Sequence, residues 1–141
     1  MKRILKSSIF SAIVVLISCI SAVAQSGDWY VLAENGNIFK NGTKISYGFG
    51  NGFIAVSGSN WYVVNEAGTV YKNGEKIADG YPKSNIAASG DDWYISDNSG
   101  HVYKNGKQIH NGFGTSLIAA SGNDWYIFTQ IGGKIPVHLR L

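Results

Sequence analysis

Two groups of residues in this chain are of the types that do chemistry. Asp91 and Asp92 stand side by side, and two carboxylates can serve as general acid and general base when their surroundings pull their pKa values apart. His101, His110 and His138 offer the side chain that binds metals most often. Neither group survives inspection of its spacing. Asp28, Asn60, Asp92 and Asp124 each stand just before a tryptophan, at Trp29, Trp61, Trp93 and Trp125. A polar side chain that caps the turn before a strand explains that recurrence, so no catalytic residue is assigned. His101 and His110 fall nine residues apart on different expected strands, and no His-x-x-His or carboxylate-rich loop accompanies them, so they read as surface or turn residues and no metal site is assigned. A Gly-x-Ser-x-Gly turn, a phosphate loop and a Cys/His constellation are all absent from the sequence, and no cofactor is implied. The remaining contacts open to a ligand are aromatic. Phe49, Tyr81 and Phe113 recur beside glycines, where flat rings can stack on sugars as weak, equivalent, multivalent sites. The competing role is to fill the space between neighbouring sheets, which is also the role expected of the four tryptophans.

The elements that carry these residues repeat. The four tryptophans are spaced by 32 residues each time, each followed by a tyrosine (Tyr30, Tyr62, Tyr94, Tyr126). Gly36, Gly68, Gly100 and Gly132 keep the same phase, as do the triplets Lys40-Asn41-Gly42, Lys72-Asn73-Gly74 and Lys104-Asn105-Gly106, and Ile45, Ile77 and Ile109. A period of this length marks a stacked or circular repeat architecture. Within one unit, Trp61-Tyr62-Val63-Val64, Thr69-Val70-Tyr71-Lys72, Glu75-Lys76-Ile77-Ala78 and Ile86-Ala87-Ala88 read as four short strands. The Asn73-Gly74 pair between apolar runs is a strong hairpin signal. Runs such as Trp93-Tyr94-Ile95 place large apolar groups on both faces of a strand, which a sheet washed by water on one side would not. Sheets packed face to face are therefore expected. The small-residue segments Phe53-Ile54-Ala55-Val56, Ile86-Ala87-Ala88 and Leu117-Ile118-Ala119-Ala120 suit a crowded innermost strand, and Lys44-Ile45, Lys76-Ile77 and Gln108-Ile109 suit a wet outer edge.

The rest of the sequence bounds the class and the compartment. Of 141 residues, 18 are Gly, 13% are aromatic and only 15% are charged, which excludes a coiled coil or a charged disordered tail and favours an all-β domain. Lys2, Arg3 and Lys6, an apolar stretch over 9–20, and Ala22-Val23-Ala24 make residues 1–24 a signal-peptide helix, with Gln25 as the new N-terminus. The rivals are a membrane anchor, for which the stretch is short, and a lipoprotein signal, since Leu16-Ile17-Ser18-Cys19 resembles a lipobox with Cys19 as the lipidated residue. Removal of the leader takes three of the 12 Lys and Arg and leaves 9 against 9 acidic residues. No electrostatic pull toward nucleic acid survives, and no transmembrane segment is expected in the mature chain. Cys19, the sole cysteine, leaves too, so the exported domain holds together without disulfides.

The pattern Ile86-Ala87-Ala88-Ser89-Gly90, Asp92-Trp93-Tyr94 and Gly100-His101-Val102-Tyr103-Lys104-Asn105-Gly106 resembles the blades of short-bladed bacterial β-propellers over residues 28–132. That resemblance implies tandem four-stranded antiparallel blades, about three of them, in an incomplete or open ring over residues 25–132. A β-trefoil of three four-stranded repeats is the alternative fold. WD repeats run longer and carry a Gly-His and Trp-Asp signature missing here, and choline-binding hairpins have a shorter unit. After Gly132 the pattern fails, because Lys134 and Pro136 replace strand residues, and 133–141 reads as an irregular tail. Closed propellers need four or more blades. The ring could be completed by self-association, with the strand over 117–120 filling the first blade of a second copy, or the chain could be a truncated part of a longer array. The expected function is an exported, non-catalytic binding or interaction module, at the periplasm, the cell surface or in the medium, with a glycan or a protein as ligand. A glycan-active enzyme using Asp91 or Asp92 is the rival class, and a structural fragment the third.

Overall fold

A computed structural model describes residues 27–111, 114 and 116–129; the leader, Phe113, His138 and the tail over 133–141 lie outside the described residues. Thirteen strands follow one another and no helix interrupts them among these residues. β1 (Tyr30–Leu32), β2 (Ile38–Lys40) and β3 (Thr43–Ser46) form a first sheet. β4 (Gly52–Ser57), β5 (Asn60–Asn65), β6 (Val70–Lys72) and β7 (Glu75–Ala78) form the second. β8 (Asn85–Ser89), β9 (Asp92–Ser96), β10 (Val102–Lys104) and β11 (Lys107–His110) form the third, and β12 (Ser116–Ser121) with β13 (Asp124–Thr129) the fourth. Every pairing is antiparallel between chain neighbours, and none of the four sheets closes on itself.

The repeat in the sequence is a repeat in register. Ala55 faces Tyr62, Ala87 faces Tyr94 and Ala119 faces Tyr126, so each small residue on a first strand makes room for a ring on the second. A shift in register, as at a bulge, recurs between Ile38 and Phe39, Val70 and Tyr71, and Val102 and Tyr103, a feature that bends a strand and increases its local twist. The Lys-Asn-Gly triplets turn with positive φ at both central residues, 50° and 80° at Asn41 and Gly42, 52° and 93° at Asn73 and Gly74, 50° and 83° at Asn105 and Gly106. That geometry matches the twist of a two-residue hairpin.

Both faces of the central strands are covered. Trp61, Tyr62, Val63 and Val64 on β5 are all buried, as expected for sheets stacked face to face. The front face of the second, third and fourth sheets, which carries the tryptophan, meets the back face of the sheet before it. Trp61 and Val63 pack on Ile38, Tyr30 and Leu32; Trp93, Ile95 and Ile86 on Tyr62, Val64 and Val70; Trp125 and Ile127 on Tyr94, Val102 and Ala87. Full burial of each such side chain is worth about 1.5–3 kcal/mol, and no disulfide supplements it among the described residues, which contain no cysteine. The expected outer edges, β3, β7 and β11, are exposed over most of their length.

One expectation needs correction. Trp29 is 53% exposed, whereas Trp61, Trp93 and Trp125 are 7–8% exposed. The Trp-Tyr pair is the same in each unit, but the first sheet has no described sheet in front of it and lacks the first strand that β4, β8 and β12 supply to the others.

Candidate functional site

Asp92 is held by the hairpin turn of its own sheet. Asn105 Oδ1 accepts the Trp93 backbone N–H at 3.0 Å while its amide donates to Asp92 Oδ1 at 2.7 Å, and Lys104 pairs with Asp92 Oδ2 at 2.6 Å. The same clasp recurs around Trp29, through Asn41, Asp28 and Lys40, and around Trp61, through Asn73 and the neutral Asn60. Hydrogen bonds from Lys104 and then Asn105 hold the Asp92 carboxyl below its ordinary range, and those from Lys40 and Asn41 do the same for Asp28. Asp91 turns the other way, toward Asn60 and Lys72 of the second sheet at 3.3 and 3.8 Å, and its backbone carbonyl accepts the Tyr62 hydroxyl. Asp91 and Asp92 are thus neighbours in sequence that serve different sheets.

Asp97, His101 and Tyr103 form a cluster that the sequence reading passed over. Asp97 Oδ1 accepts the backbone N–H groups of Ser99 and His101, each at 2.9 Å, and Oδ2 lies 2.8 Å from His101 Nδ1 and 3.4 Å from the Tyr103 hydroxyl. Burial is the largest single influence on the Asp97 carboxyl and raises its pKa, but the His101 ring and the two backbone donors together outweigh it and leave it lowered. Asn65 closes the equivalent turn in the second sheet through the Thr69 backbone N–H, so the primary task of Asp97 is the same turn. His110 lies beside the Trp125 ring, 6.2 Å between centroids. No group of three His, Cys, Asp or Glu suited to a metal ion occurs among the described residues.

Phe49 and Tyr81, the aromatic candidates, are buried, at 6% and 9% exposure. Phe49 sets its edge against Trp61 and Tyr71, 5.6 and 4.9 Å between centroids, and Tyr81 does so against Trp93 and Tyr103 at 6.2 and 4.9 Å. Each sits on the loop that carries the chain from the outer strand of one sheet to the inner strand of the next. Gly68 makes that crossing fit: with φ of 88°, a Cβ there would stand 2.3 Å from the backbone of Tyr81 and Pro82. These rings plug the gap between sheets, and burial raises the Tyr81 hydroxyl pKa.

The same crossing loops build an open site. At the end of the stack where they meet the turns after β1 and β5, a cleft of about 730 Å³ opens across the first three sheets. Glu34, Asn51, Phe53, Glu66 and Lys83 line it and are all exposed, Phe53 to 52%. Glu34, Glu66 and Lys83 enter no ion pair among the described residues. Lys83 holds a φ of 54°, and the other non-glycine residues with positive φ are the asparagines of the Lys-Asn-Gly turns. A left-handed lysine costs on the order of 1 kcal/mol, and such strain concentrates at functional surfaces. Comparison with known protein families, curated proteins and solved structures gives no match to this chain.

The signal that could have found this cleft is the failure of the repeat. Asn51, Lys83 and Thr115 are equivalent by the 32-residue period, as are Phe53, Asn85 and Leu117, and Glu34, Glu66 and Asn98. The tryptophan, the tyrosine after it and the Lys-Asn-Gly turn stay constant from unit to unit, while the positions of Asn51 and Phe53 change chemical type in each unit.

Proposed function

We propose that this chain is an exported, non-catalytic binding module built of β-propeller-type blades, and that its ligand is a glycan held in the cleft around Phe53. The blade reading draws support from separate meandering sheets stacked front to back, which suit a propeller better than a trefoil. Export rests on the leader over 1–24. A homo-oligomer would supply the inner strand or the covering sheet that the first blade lacks. No helix among the described residues is long and apolar enough to cross a membrane.

The observation that carries the glycan reading is an accessible ring beside uncommitted polar groups. The face of Phe53 suits the C–H surface of a pyranose, and the carboxylates of Glu34 and Glu66, the Asn51 amide and the Lys83 ammonium can order its hydroxyls. Concave sites with an apolar floor and a few fixed polar groups are the common form of small-ligand sites. Of the two carboxylates a hydrolase reading would use, Asp92 is held by Lys104 and Asn105, while Asp91 is exposed and is directed away from Asp92, toward Asn60 and Lys72 of the second sheet. A glycan array probed with the mature protein and with the Phe53→Ala and Glu66→Gln variants tests the reading. Binding to a defined set of neutral or amine-bearing sugars, lost in Phe53→Ala, supports it. Binding unaffected by either substitution, or no binding to any sugar, overturns it.

A further inference from the structure

Among the described residues, the first and the fourth sheet each leave bare the half of a contact that the chain makes three times internally. On the front of the first sheet Trp29 is 53% and Val31 44% exposed, although Trp61, Trp93 and Trp125, in the same position of the unit, are covered to 7–8%. On the back of the fourth sheet Phe128 is 44% exposed, although Val64, which holds its place in the second sheet, is fully buried beneath Trp93 and Ile95 of the third. The two bare faces are therefore complementary, not alike: one is the surface that receives a tryptophan, the other is the surface that presents it.

We propose that copies of this chain associate head to tail, the back of the fourth sheet of one copy covering the Trp29 face of the next. Three internal contacts of the same design set the arrangement: Trp61 on Ile38 and Leu32, Trp93 on Tyr62 and Val64, and Trp125 on Tyr94 and Val102. Trp29 of the second copy would lie on Tyr126 and Phe128, which hold the places of Tyr62 and Val64, in the same manner. Such an interface is heterologous, so it grows into a closed ring if the rotation between copies completes a circle and into a filament if it does not. The proposal rests on the stacked-blade reading and is independent of what the Phe53 cleft binds.

Sedimentation velocity on the mature protein, with Trp29→Glu and Phe128→Glu variants, tests it. The wild type should sediment with a mass that rises with concentration beyond one chain. Each variant should be a single chain, its association weakened at least tenfold, with a urea midpoint close to wild type because each altered residue is about half exposed. Val31→Glu, on the same face as Trp29, replaces Trp29→Glu should that variant fail to fold. The decisive arm mixes the two variants: one retains an intact back face and the other an intact front face, so a head-to-tail contact yields a particle of two chains and no larger. A wild type that stays a single chain, a variant that still assembles alone, or a mixture that does not pair would each overturn the proposal. Glycan binding measured on the single-chain Trp29→Glu variant keeps the fate of the cleft reading separate.

Discussion

Phe49 and Phe53 stand four residues apart at either side of one crossing loop, yet truncating them should damage different properties. Phe49 is 6% exposed and meets Trp61 and Tyr71 edge on; Phe53 is 52% exposed and borders the cleft. A buried Phe→Ala change costs about 3–5 kcal/mol through lost transfer energy and the cavity it leaves, and the two ring contacts place Phe49→Ala in the upper part of that range. With a slope of about 2 kcal/mol per molar urea for a domain of this size, the midpoint should fall by about 2 M. Against a total stability of about 5–15 kcal/mol, the variant would be close to unfolding. Phe53→Ala gives up less than half of a phenylalanine's burial and its place opposite Val64, about 1 kcal/mol or less, while removing the stacking face. Urea melts followed by tryptophan fluorescence, beside glycan binding of each variant at native conditions, separate the two effects. The reasoning fails if Phe49→Ala costs under 1 kcal/mol, or if it costs less than Phe53→Ala.

Asn105→Ala should cost about 2–3 kcal/mol, because it removes two hydrogen bonds and leaves alanine at a φ of 50°. Asn105→Gly should cost about 1 kcal/mol less, since only the backbone penalty is relieved; thermal midpoints several degrees apart check it, at about 4–8 °C per kcal/mol. Lys83→Gly should raise stability by about 1 kcal/mol by relieving the left-handed backbone, and should weaken ligand binding at the cleft, read from paired melts and binding curves. The carboxyls of Asp28, Asp79, Asp92 and Asp97 are lowered in the folded chain, so their contribution is complete above the unfolded carboxylate range and is lost as pH falls below about 4, through the lower folded values. Asp92→Asn should flatten that acid slope in urea midpoints taken from pH 6 to pH 2; an unchanged slope would show that the Lys104 and Asn105 contacts do not persist in solution.

Much of the fold was legible because it depends on neighbours along the chain. The period, the four short strands per unit, the hairpin turns at Asn41-Gly42, Asn73-Gly74 and Asn105-Gly106, and the need to cover both faces of Trp61-Tyr62-Val63-Val64 follow from side-chain alternation and from the few residues that tolerate positive φ. The turn role of Asp28 and Asp92 was legible only in part: the cap on each tryptophan N–H is Asn41 or Asn105, and the aspartate holds that asparagine from 13 residues away. The site was not legible. Phe49 and Phe53 have the same side chain, and Trp29 has the same place in its unit as Trp61, yet one of each pair is buried and the other open. A residue's spacing states which face of a strand it occupies. Whether that face is covered depends on sheets 32 residues away in the chain, and only the stack of the folded molecule decides it.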